Sequence, residues 1–269
     1  LNHQREYYAK MKVMFPFLNR RKAEIGIGVG NIKDEYVQSN IIDLNEPKFD
    51  SNESTLFSGS IRFEGNTLNK KVFATEGMHE TLIAQFVVGK EKYQGAVEVN
   101  DNEQSLSWLQ ISYTRRDNFN LAERFTLGTY AQMFYSTRRL SRTYQATMMQ
   151  AAAFTPTQNS IFNYDPKFRA NQFIAGGVIP IFKVNNFLQV RPGFYAFIPY
   201  RKIYEKSDGT AYYRKKRFND FQYIVDLTLV AQFSNISASA FVNYYSSSNR
   251  RVNLGISLGW FMFNERFLE

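Results

Sequence analysis

Apolar and polar residues alternate with a period of two along most of the chain. The stretch RVNLGISLGWFMF, residues 251–263, has apolar residues at every even position from Val252 to Met262, and small or polar residues at the odd positions from Asn253 to Gly259. Successive side chains of a strand point to opposite faces, so this period predicts a β-strand with one apolar face. FQYIVDLTLVAQF, residues 221–233, predicts another. A further strand has an apolar set made of Phe173, Ala175, Ile179 and Ile181.

The alternation recurs along the whole chain and predicts about twelve strands. Many of them are as long as the roughly 9–11 residues that a tilted strand needs to cross a bilayer. Short connections alternate with long polar ones at 31–53, 91–104, 155–167 and 205–217. Such alternation is typical of outer-membrane barrels, which have short turns on one side and long loops on the other. Bulges or strand ends are expected where proline falls inside apparent strands, at Pro180, Pro192 and Pro199.

The segment YQATMMQAAAF, residues 144–154, is compatible with either a short helix or a strand. Its composition suits a short helix. Its Tyr and Thr residues and the alternating sequence on both sides favour a strand instead, with Tyr144, Ala146 and Met148 on one face. We therefore predict a strand here.

The apolar faces of these strands need either a protein core or lipid. A soluble β-sandwich would carry many Lys, Glu and Thr residues on its other, solvated face. Here that face is small or neutral, as at Gly26, Gly28, Ser58, Ser60 and Thr228. A lumen packed with loops or a plug accounts for such residues. The pattern therefore favours an all-β fold, an antiparallel transmembrane β-barrel formed by residues 1–269 as one domain, over a soluble sandwich.

The composition agrees with a membrane-embedded sheet. Aromatic residues make up 16% of the 269 residues, with 25 Phe and 17 Tyr, as aromatic belts require. The chain has no run of 18 apolar residues, which excludes a helical membrane protein. Cysteine is absent, which excludes disulfides and thiolate metal sites. The formal net charge is +9, with the basic residues mainly at segment ends and turns, which suits hydrated rims rather than nucleic-acid binding.

The sequence offers no catalytic, cofactor or metal site. The two histidines, His3 and His79, lie far apart along the chain. GIGVG at 26–30 fits strand glycines better than a phosphate loop, because no helix follows it. Asp208 and Gly209, in the sequence SDGT, fit a loop turn. We expect no catalytic residue, no cofactor and no metal ligand in this chain.

Two passages are more specific than alternation. EGNTLNKKVFATEGMHETLIAQFVVGKEKYQG, residues 64–95, resembles the N-x-L-N-x-K … P-T-x-G hairpin of surface-antigen-type barrels, the superfamily of outer-membrane assembly factors. Thr75 and Gly77 match its turn, Ala74 replaces the proline, and Gly77 suits a turn position with positive φ. The second passage is AAAFTPTQNSIFNYDPKFRANQFIAGGVIPIF, residues 151–182, followed by LQVRPGFYAFIPYRKI. Together they resemble the C-terminal barrel of the patatin-like phospholipases of Bacteroidetes.

This resemblance implies a barrel of about sixteen strands in the outer membrane of a Gram-negative bacterium, with its first strands upstream of Leu1. It also implies an N-terminal patatin-like lipase domain, which the barrel would anchor or translocate. The patatin motifs G-x-S-x-G and D-G-[GA] are absent here, so the lipase active site would lie outside these residues. The alternatives are a stand-alone outer-membrane channel or assembly-type barrel without an enzyme, and a soluble carbohydrate-binding sandwich.

The resemblance also singles out residues with structural roles. In surface-antigen barrels the loop before the twelfth strand enters the lumen and anchors an arginine against the wall. Residues 155–172 correspond to that loop, with Arg169 as the candidate, and a rim position is the alternative for it. The C-terminal strand closes on aromatic residues that the barrel assembly machinery reads, here Trp260, Phe261 and Phe263. The expected partners are outer-membrane lipid, that machinery and other outer-membrane subunits, with no nucleic acid.

Overall fold

A computed structural model describes residues 2–36, 49–95, 102–157, 159–162, 164–232, 237–247 and 251–258. Within these ranges eleven strands form one antiparallel sheet, in the order β1-β2-β3-β4-β5-β6-β9-β10-β13-β14-β15. This count lies close to the roughly twelve strands that the alternation predicts. No backbone pairing between β1 and β15 is present in the described part of the chain, so these two strands are the edges of the sheet there.

The first six strands follow one another along the chain and pair as neighbours. They are β1 (Asn2–Pro16), β2 (Arg21–Tyr36), β3 (Asp50–Asn66), β4 (Gly77–Gln94), β5 (Asn102–Ala122) and β6 (Phe125–Ser136). They contain 12 to 21 residues, more than a bilayer crossing requires. Ladder pairing therefore continues into the predicted loops at 31–53 and 91–104, where polar residues still pair across β2, β3 and β4.

After β6 the chain leaves the sheet and forms α1 (Tyr144–Gln150), β7 (Ala152–Ala153), two 3-10 turns (Asn159–Phe162 and Pro166–Phe168) and β8 (Arg169–Ala170). The sheet resumes with β9 (Gln172–Lys183) and β10 (Leu188–Pro199). A separate hairpin follows, made of β11 (Ile203–Glu205) and β12 (Ala211–Tyr213). The last strands of the sheet are β13 (Gln222–Gln232), β14 (Ser237–Tyr245) and β15 (Val252–Leu258).

The two ends of the sheet differ in their connections. At one end residues 17–20, 123–124 and 184–187 join neighbouring strands, and we call this the turn end. At the other end residues 137–171 and 200–221 form long connections, and we call it the loop end. The long connections at 155–167 and 205–217 were expected from the sequence, and they lie together at the loop end.

The register of the strands places residues of like polarity on the same face of the sheet. Ile25 pairs with Ile61 across β2 and β3, and Ile61 pairs with Ala84 on β4. Ile25 and Ile61 are 53% and 47% exposed. Gly26, the next residue along β2, is buried and faces inward with Ser60 opposite it. The apolar face therefore points out of the sheet, and the small or polar face points in.

Proline interrupts the ladder between β9 and β10. Of the bulges or strand ends predicted at the three prolines, only Pro199 lies at a strand end, whereas Pro180 and Pro192 lie within β9 and β10. Val190 pairs with Phe182 and Phe194 pairs with Val178, whereas no pairs form across Pro192 and Pro180 between them. Proline has no N–H to donate, so these ladder bonds are missing. The register is the same on both sides of the interruption, so the ladder breaks without a bulge.

Residues 144–150 form the helix α1, and the prediction of a strand there was wrong. The Oγ1 atom of Thr143 caps the helix by accepting a hydrogen bond of 3.3 Å from the backbone N–H of Ala146. Ala146 and Met148 are buried, so the helix packs these apolar side chains against other parts of the molecule. The segment has left the sheet at this point, so the alternating sequence on its two sides could not predict its conformation.

Candidate functional site

Residues 137–171, which we call the inner segment, cross the interior of the sheet. On one side Oη of Tyr36 on β2 lies 2.6 Å from Oγ1 of Thr143. On the other side the ring of Phe168 meets that of Tyr245 on β14, with 5.5 Å between centroids. β2 and β14 are each one strand away from an edge of the eleven-stranded sheet. The sheet therefore curves around the inner segment.

Polar contacts attach the inner segment to the first strands. Nη2 of Arg138 donates to Oε1 of Gln150 over 2.6 Å, and Nε2 of Gln150 donates to Oδ2 of Asp34 over 3.1 Å. Asp34 also accepts a 2.8 Å hydrogen bond from Gln4 on β1. Asp34 is fully buried and Arg138 is only 9% exposed, so these bonds satisfy groups that have lost contact with water.

Arg138 is a buried cation between carboxylates. Its guanidinium lies over the ring of Trp108, 4.3 Å from the centroid. Burial lowers the pKa of Arg138, and the charges of Glu91 and Asp34 raise it. An arginine stays protonated even in such surroundings. The interior next to β2, β4 and β5 is therefore a polar region in which charges of both signs are held together.

Aromatic contacts attach the inner segment to the later strands. The ring of Phe154 stacks on that of Phe197 at 5.5 Å and meets the edge of Phe173 at 6.3 Å. All three side chains are 2% exposed or less. The full cluster also contains Tyr130, Phe168, Ala170, Tyr195, Ile224 and Tyr245. The sequence pattern placed Phe173 and Ile181 in the outward apolar set of their strand. That prediction was wrong, because both side chains are buried and Phe173 faces this cluster.

The structure places Arg169 inside the sheet, at the end of α1. Its Nη1 atom donates to the carbonyl oxygens of Met148, Met149 and Ala151 over 3.2, 3.0 and 2.9 Å. These groups belong to the last turn of the helix and the residue after it, where carbonyls lack helical partners. The guanidinium also lies 4.6 Å from the ring centroid of Tyr164. All three of these carbonyl acceptors belong to the inner segment.

Residues 67–76, which we call the lower link, connect β3 to β4 and cross the turn end of the interior. Nη1 of Arg191 on β10 donates to the carbonyl oxygen of Ala74 over 3.3 Å. Nζ of Lys70 donates to Oε1 of Gln232 on β13 over 2.9 Å, and Gln232 donates to the carbonyl oxygen of Val72. β10 and β13 lie several strands away from β4 in the sheet. The lower link therefore crosses the sheet's curved interior and does not follow the rim.

Gly77, the first residue of β4 after the lower link, has a φ of +90°. A β-carbon at this position would lie 2.2 Å from the carbonyl oxygen of Thr67. The backbone N–H of Thr67 donates to the carbonyl of Met78 over 2.8 Å, which holds the two ends of the link together. Asn69 accepts from the N–H of Thr75 over 3.1 Å and fixes the chain between them. Only glycine adopts this conformation and leaves room for the carbonyl.

Two cavities adjoin the inner segment and the lower link. One of about 520 Å³ lies between the inner segment and the inward faces of the first strands, and its lining includes Arg62, Arg116, Arg138 and Arg169. A second cavity of about 150 Å³ is lined by Pro156 of the inner segment and Phe73 of the lower link. The two inward parts thus approach each other from opposite ends, with a small gap between them.

The remaining sequence candidates show no catalytic arrangement. Asp208 accepts hydrogen bonds from Oγ1 and the N–H of Thr210 over 2.7 and 2.9 Å, and these bonds lower the pKa of its carboxyl group. It is part of an exposed turn. In the described ranges, no group of three or more His, Cys, Asp and Glu side chains could hold a metal ion. Trp260, Phe261 and Phe263 lie outside the described residues.

Large apolar side chains cover the outer surface of the sheet. On β13 the outward residues Val225, Leu227 and Leu229 are 41–51% exposed, whereas the inward Asp226 and Thr228 are buried. On β15 Leu254 and Ile256 are 78% and 76% exposed. No helix in the described ranges is long and apolar enough to span a membrane. Apolar surface that continues from strand to strand is far more than a soluble monomer exposes.

Aromatic residues flank this apolar surface at both ends. Towards the loop end Phe194, Tyr223 and Tyr244 follow one another across three strands, with 5.9 and 6.1 Å between centroids. Towards the turn end Phe125 and Phe182 pair at 5.3 Å. An apolar band between two aromatic girdles is the outer surface of a barrel in a membrane.

Comparison with known proteins gives the fold. No family model and no curated protein matches the chain. The structure is similar to that of BamA from Haemophilus ducreyi lacking POTRA domains 1–3, with a TM-score of 0.59 and 12% identity over 95% of this chain. The fold is an antiparallel transmembrane β-barrel. The chain spans about half of that structure, 54% of its length.

Two further structures match with lower scores. One is the transport unit of the autotransporter AIDA-I from Escherichia coli, with a TM-score of 0.44 and 12% identity over 96% of this chain and 82% of that one. The other is the translocator domain of the autotransporter NalP from Neisseria meningitidis, with a TM-score of 0.35 and 9% identity over 97% of this chain and 81% of that one.

In the barrel, the outward residues of β13 and β15 face lipid, and the inner segment lies in the lumen.

Proposed function

We propose that this barrel lies in the outer membrane of a Gram-negative bacterium, where it anchors or delivers a further domain of the same protein. The observation that carries the proposal is the occupied lumen. The inner segment contacts both β2 and β14, and the lower link crosses the turn end between β4 and β10. A lumen filled from both ends is a poor channel for free diffusion, but it makes a rigid anchor.

The attachment of the inner segment supports a permanent filling of the lumen. Burial of Phe154 and Phe168 in the aromatic cluster contributes several kcal/mol, since removal of one buried phenylalanine costs about 3–5 kcal/mol. The hydrogen bonds of Arg138 and Gln150 add a second attachment to other strands. A segment that blocks a pore only at times would leave such groups unsatisfied when it moved out.

The finer proposal is that the anchored domain is a patatin-like lipase. It rests on the resemblance of residues 64–95, 151–182 and 188–203 to the barrels of that group. The partners then are outer-membrane lipid and, during insertion, the barrel assembly machinery. Contact with other outer-membrane subunits is part of the same proposal.

A translocation or assembly-type barrel without an enzyme is the second candidate, favoured by the similarity of its fold to the BamA structure. The intact mass of the native protein in membranes separates the two candidates. A mass well above 31.4 kDa, with lipase activity in detergent, supports the anchor. A mass near that of this chain, or a larger protein without lipase activity, would contradict the lipase proposal.

The occupied lumen has its own test in planar bilayers. The full chain is expected to give no steady ion conductance. A variant in which a short Gly-Ser linker replaces residues 139–170 is expected to conduct, provided that it still shows the heat-dependent gel migration of a folded barrel. Steady conductance of the unaltered chain would contradict the anchor and favour a channel.

A further inference from the structure

Four consecutive basic residues lie at the loop end between β12 and β13. We call Arg214, Lys215, Lys216 and Arg217 the basic run. All four are exposed, and so are Phe218 and Phe221 beyond them, each at 54%. The basic run is therefore a dense positive patch on the surface of the barrel, with exposed aromatic residues on one side of it.

The basic run lies close to the level at which the barrel enters lipid. Phe221 is in ring contact with Tyr223, 6.2 Å between centroids, and Tyr223 belongs to the loop-end girdle with Phe194 and Tyr244. Arg217 precedes Phe221 by four residues, so at most about 14 Å of chain separates them. Aromatic girdles mark the interface between the hydrocarbon core and the headgroups. Arg217, at the end of the basic run, thus lies at or just outside the headgroup level.

Local contacts hold the basic run in place without neutralising it. The guanidinium of Arg214 lies 4.5 Å from the ring centroid of Tyr204, and that of Arg217 lies 5.3 Å from that of Tyr200. The N–H of Phe218 donates to the carbonyl of Tyr200 over 3.0 Å, which fixes the end of the run beside β10. These are contacts with rings and backbone, which leave the positive charges available to an anion.

Two other lysines at the loop end are paired with carboxylates. Lys33 pairs with Glu35 at 2.8 Å, and Lys90 pairs with Glu103 at 2.5 Å. None of the four residues of the basic run forms an ion pair with a carboxylate of the described ranges. The four charges of the basic run are thus not compensated by ion pairs within the described ranges, next to β10 and β13.

We infer that the basic run binds the phosphate headgroups of an anionic lipid leaflet, with Phe218 and Phe221 in contact with the lipid beside them. Basic residues at a membrane surface attract anionic headgroups, and each contributes about a fivefold increase in affinity. The partner is the phosphorylated lipid of the leaflet on the loop side. This inference rests on the membrane-barrel fold and is independent of the anchoring role and of any lipase.

The test uses the full chain, purified in a neutral detergent and titrated with a short-chain phosphatidic acid. Phosphatidylcholine of the same chain length is the uncharged comparison. The variant Lys215→Gln with Lys216→Gln keeps both arginine–tyrosine contacts. It is expected to bind phosphatidic acid about 25-fold more weakly, because two charges are lost. The double variant Lys215→Arg with Lys216→Arg keeps the charge at the same positions and is expected to bind as the unaltered chain does.

Lys206→Gln removes one exposed cation from the tip of the β11–β12 hairpin and is expected to change the affinity less than the double glutamine variant. Added salt should weaken the binding of phosphatidic acid to the unaltered chain, and this test needs no variant. Unchanged binding by the double glutamine variant, or equal affinity for phosphatidylcholine, would overturn the inference. Equal competition by inorganic phosphate would also overturn it, since the site would then take a free anion and not a lipid.

Discussion

Nη1 of Arg169 donates a 2.9 Å hydrogen bond to the carbonyl oxygen of Ala151, across the inner segment from the end of α1 to β8. The same nitrogen contacts the carbonyls of Met148 and Met149. One side chain therefore satisfies the end of the helix and ties it to the chain that returns to the wall. The anchoring role predicted for Arg169 is, in this geometry, a role inside the inner segment.

Replacement of Arg169 by glutamine is expected to loosen the inner segment while the barrel stays folded. A shorter, uncharged side chain cannot reach three carbonyls, and hydrogen bonds to charged groups each contribute about 1.5–3 kcal/mol. Limited proteolysis of the barrel in detergent should then cut between residues 137 and 171 faster than in the unaltered chain. Arg139→Gln removes an exposed arginine of the same segment as a control. Equal protection of both variants would refute the role of Arg169.

Replacement of Phe154 by alanine is expected to destabilise the barrel by about 3–5 kcal/mol, because it opens a cavity in the aromatic cluster. Phe154 is 2% exposed and contacts Tyr130, Phe173 and Phe197. The free energy of unfolding in urea, measured in lipid vesicles, tests this. Ile161→Ala is the control from the same segment, since Ile161 is 43% exposed. Similar losses for the two variants would show that the cluster adds no particular stability.

Replacement of Gly77 by alanine is expected to strain the lower link, because the new β-carbon meets the carbonyl oxygen of Thr67 and the φ is positive. Backbone strain of this kind costs about 1–3 kcal/mol, and the steric contact adds to it. Gly59→Ala is a matched control, since a β-carbon there has no atom within 4 Å. Comparison of the two variants by urea unfolding measures the effect. Equal stability of the two would mean that the link tolerates a different turn.

Much of the sheet could be predicted from the sequence because one property, the alternation of apolar with small or polar residues, determines it. In β2, β13 and β15 one face is apolar and the other is small or polar, so the period of two gives both the strand and its outward face. β9 is apolar on both faces. Ile174 and Val178 are exposed, whereas Phe173 and Ile181 are buried. Alternation alone cannot choose between lipid and an aromatic cluster, since both environments accept the same residues.

The inner segment was harder to predict because tertiary contacts determine it. α1 is only seven residues long, and such a helix is marginal in water without packing. Its stability comes from the cap by Thr143 and from burial of Ala146 and Met148 inside a barrel built by distant strands. The roles of Trp260, Phe261 and Phe263, and a closed barrel of about sixteen strands, stay predictions.

The central claim is that the outward face of the strands meets lipid and the inward face meets the filled lumen. The chain has no cysteine, so single cysteines can be introduced without a background. We would place one at each of Val225, Asp226, Leu227, Thr228 and Leu229 on β13, label it with a fluorophore and measure quenching by lipids with a quencher in the acyl chain. The account predicts strong quenching at 225, 227 and 229 and weak quenching at 226 and 228. Uniform quenching along β13, or none at the odd positions, would contradict it.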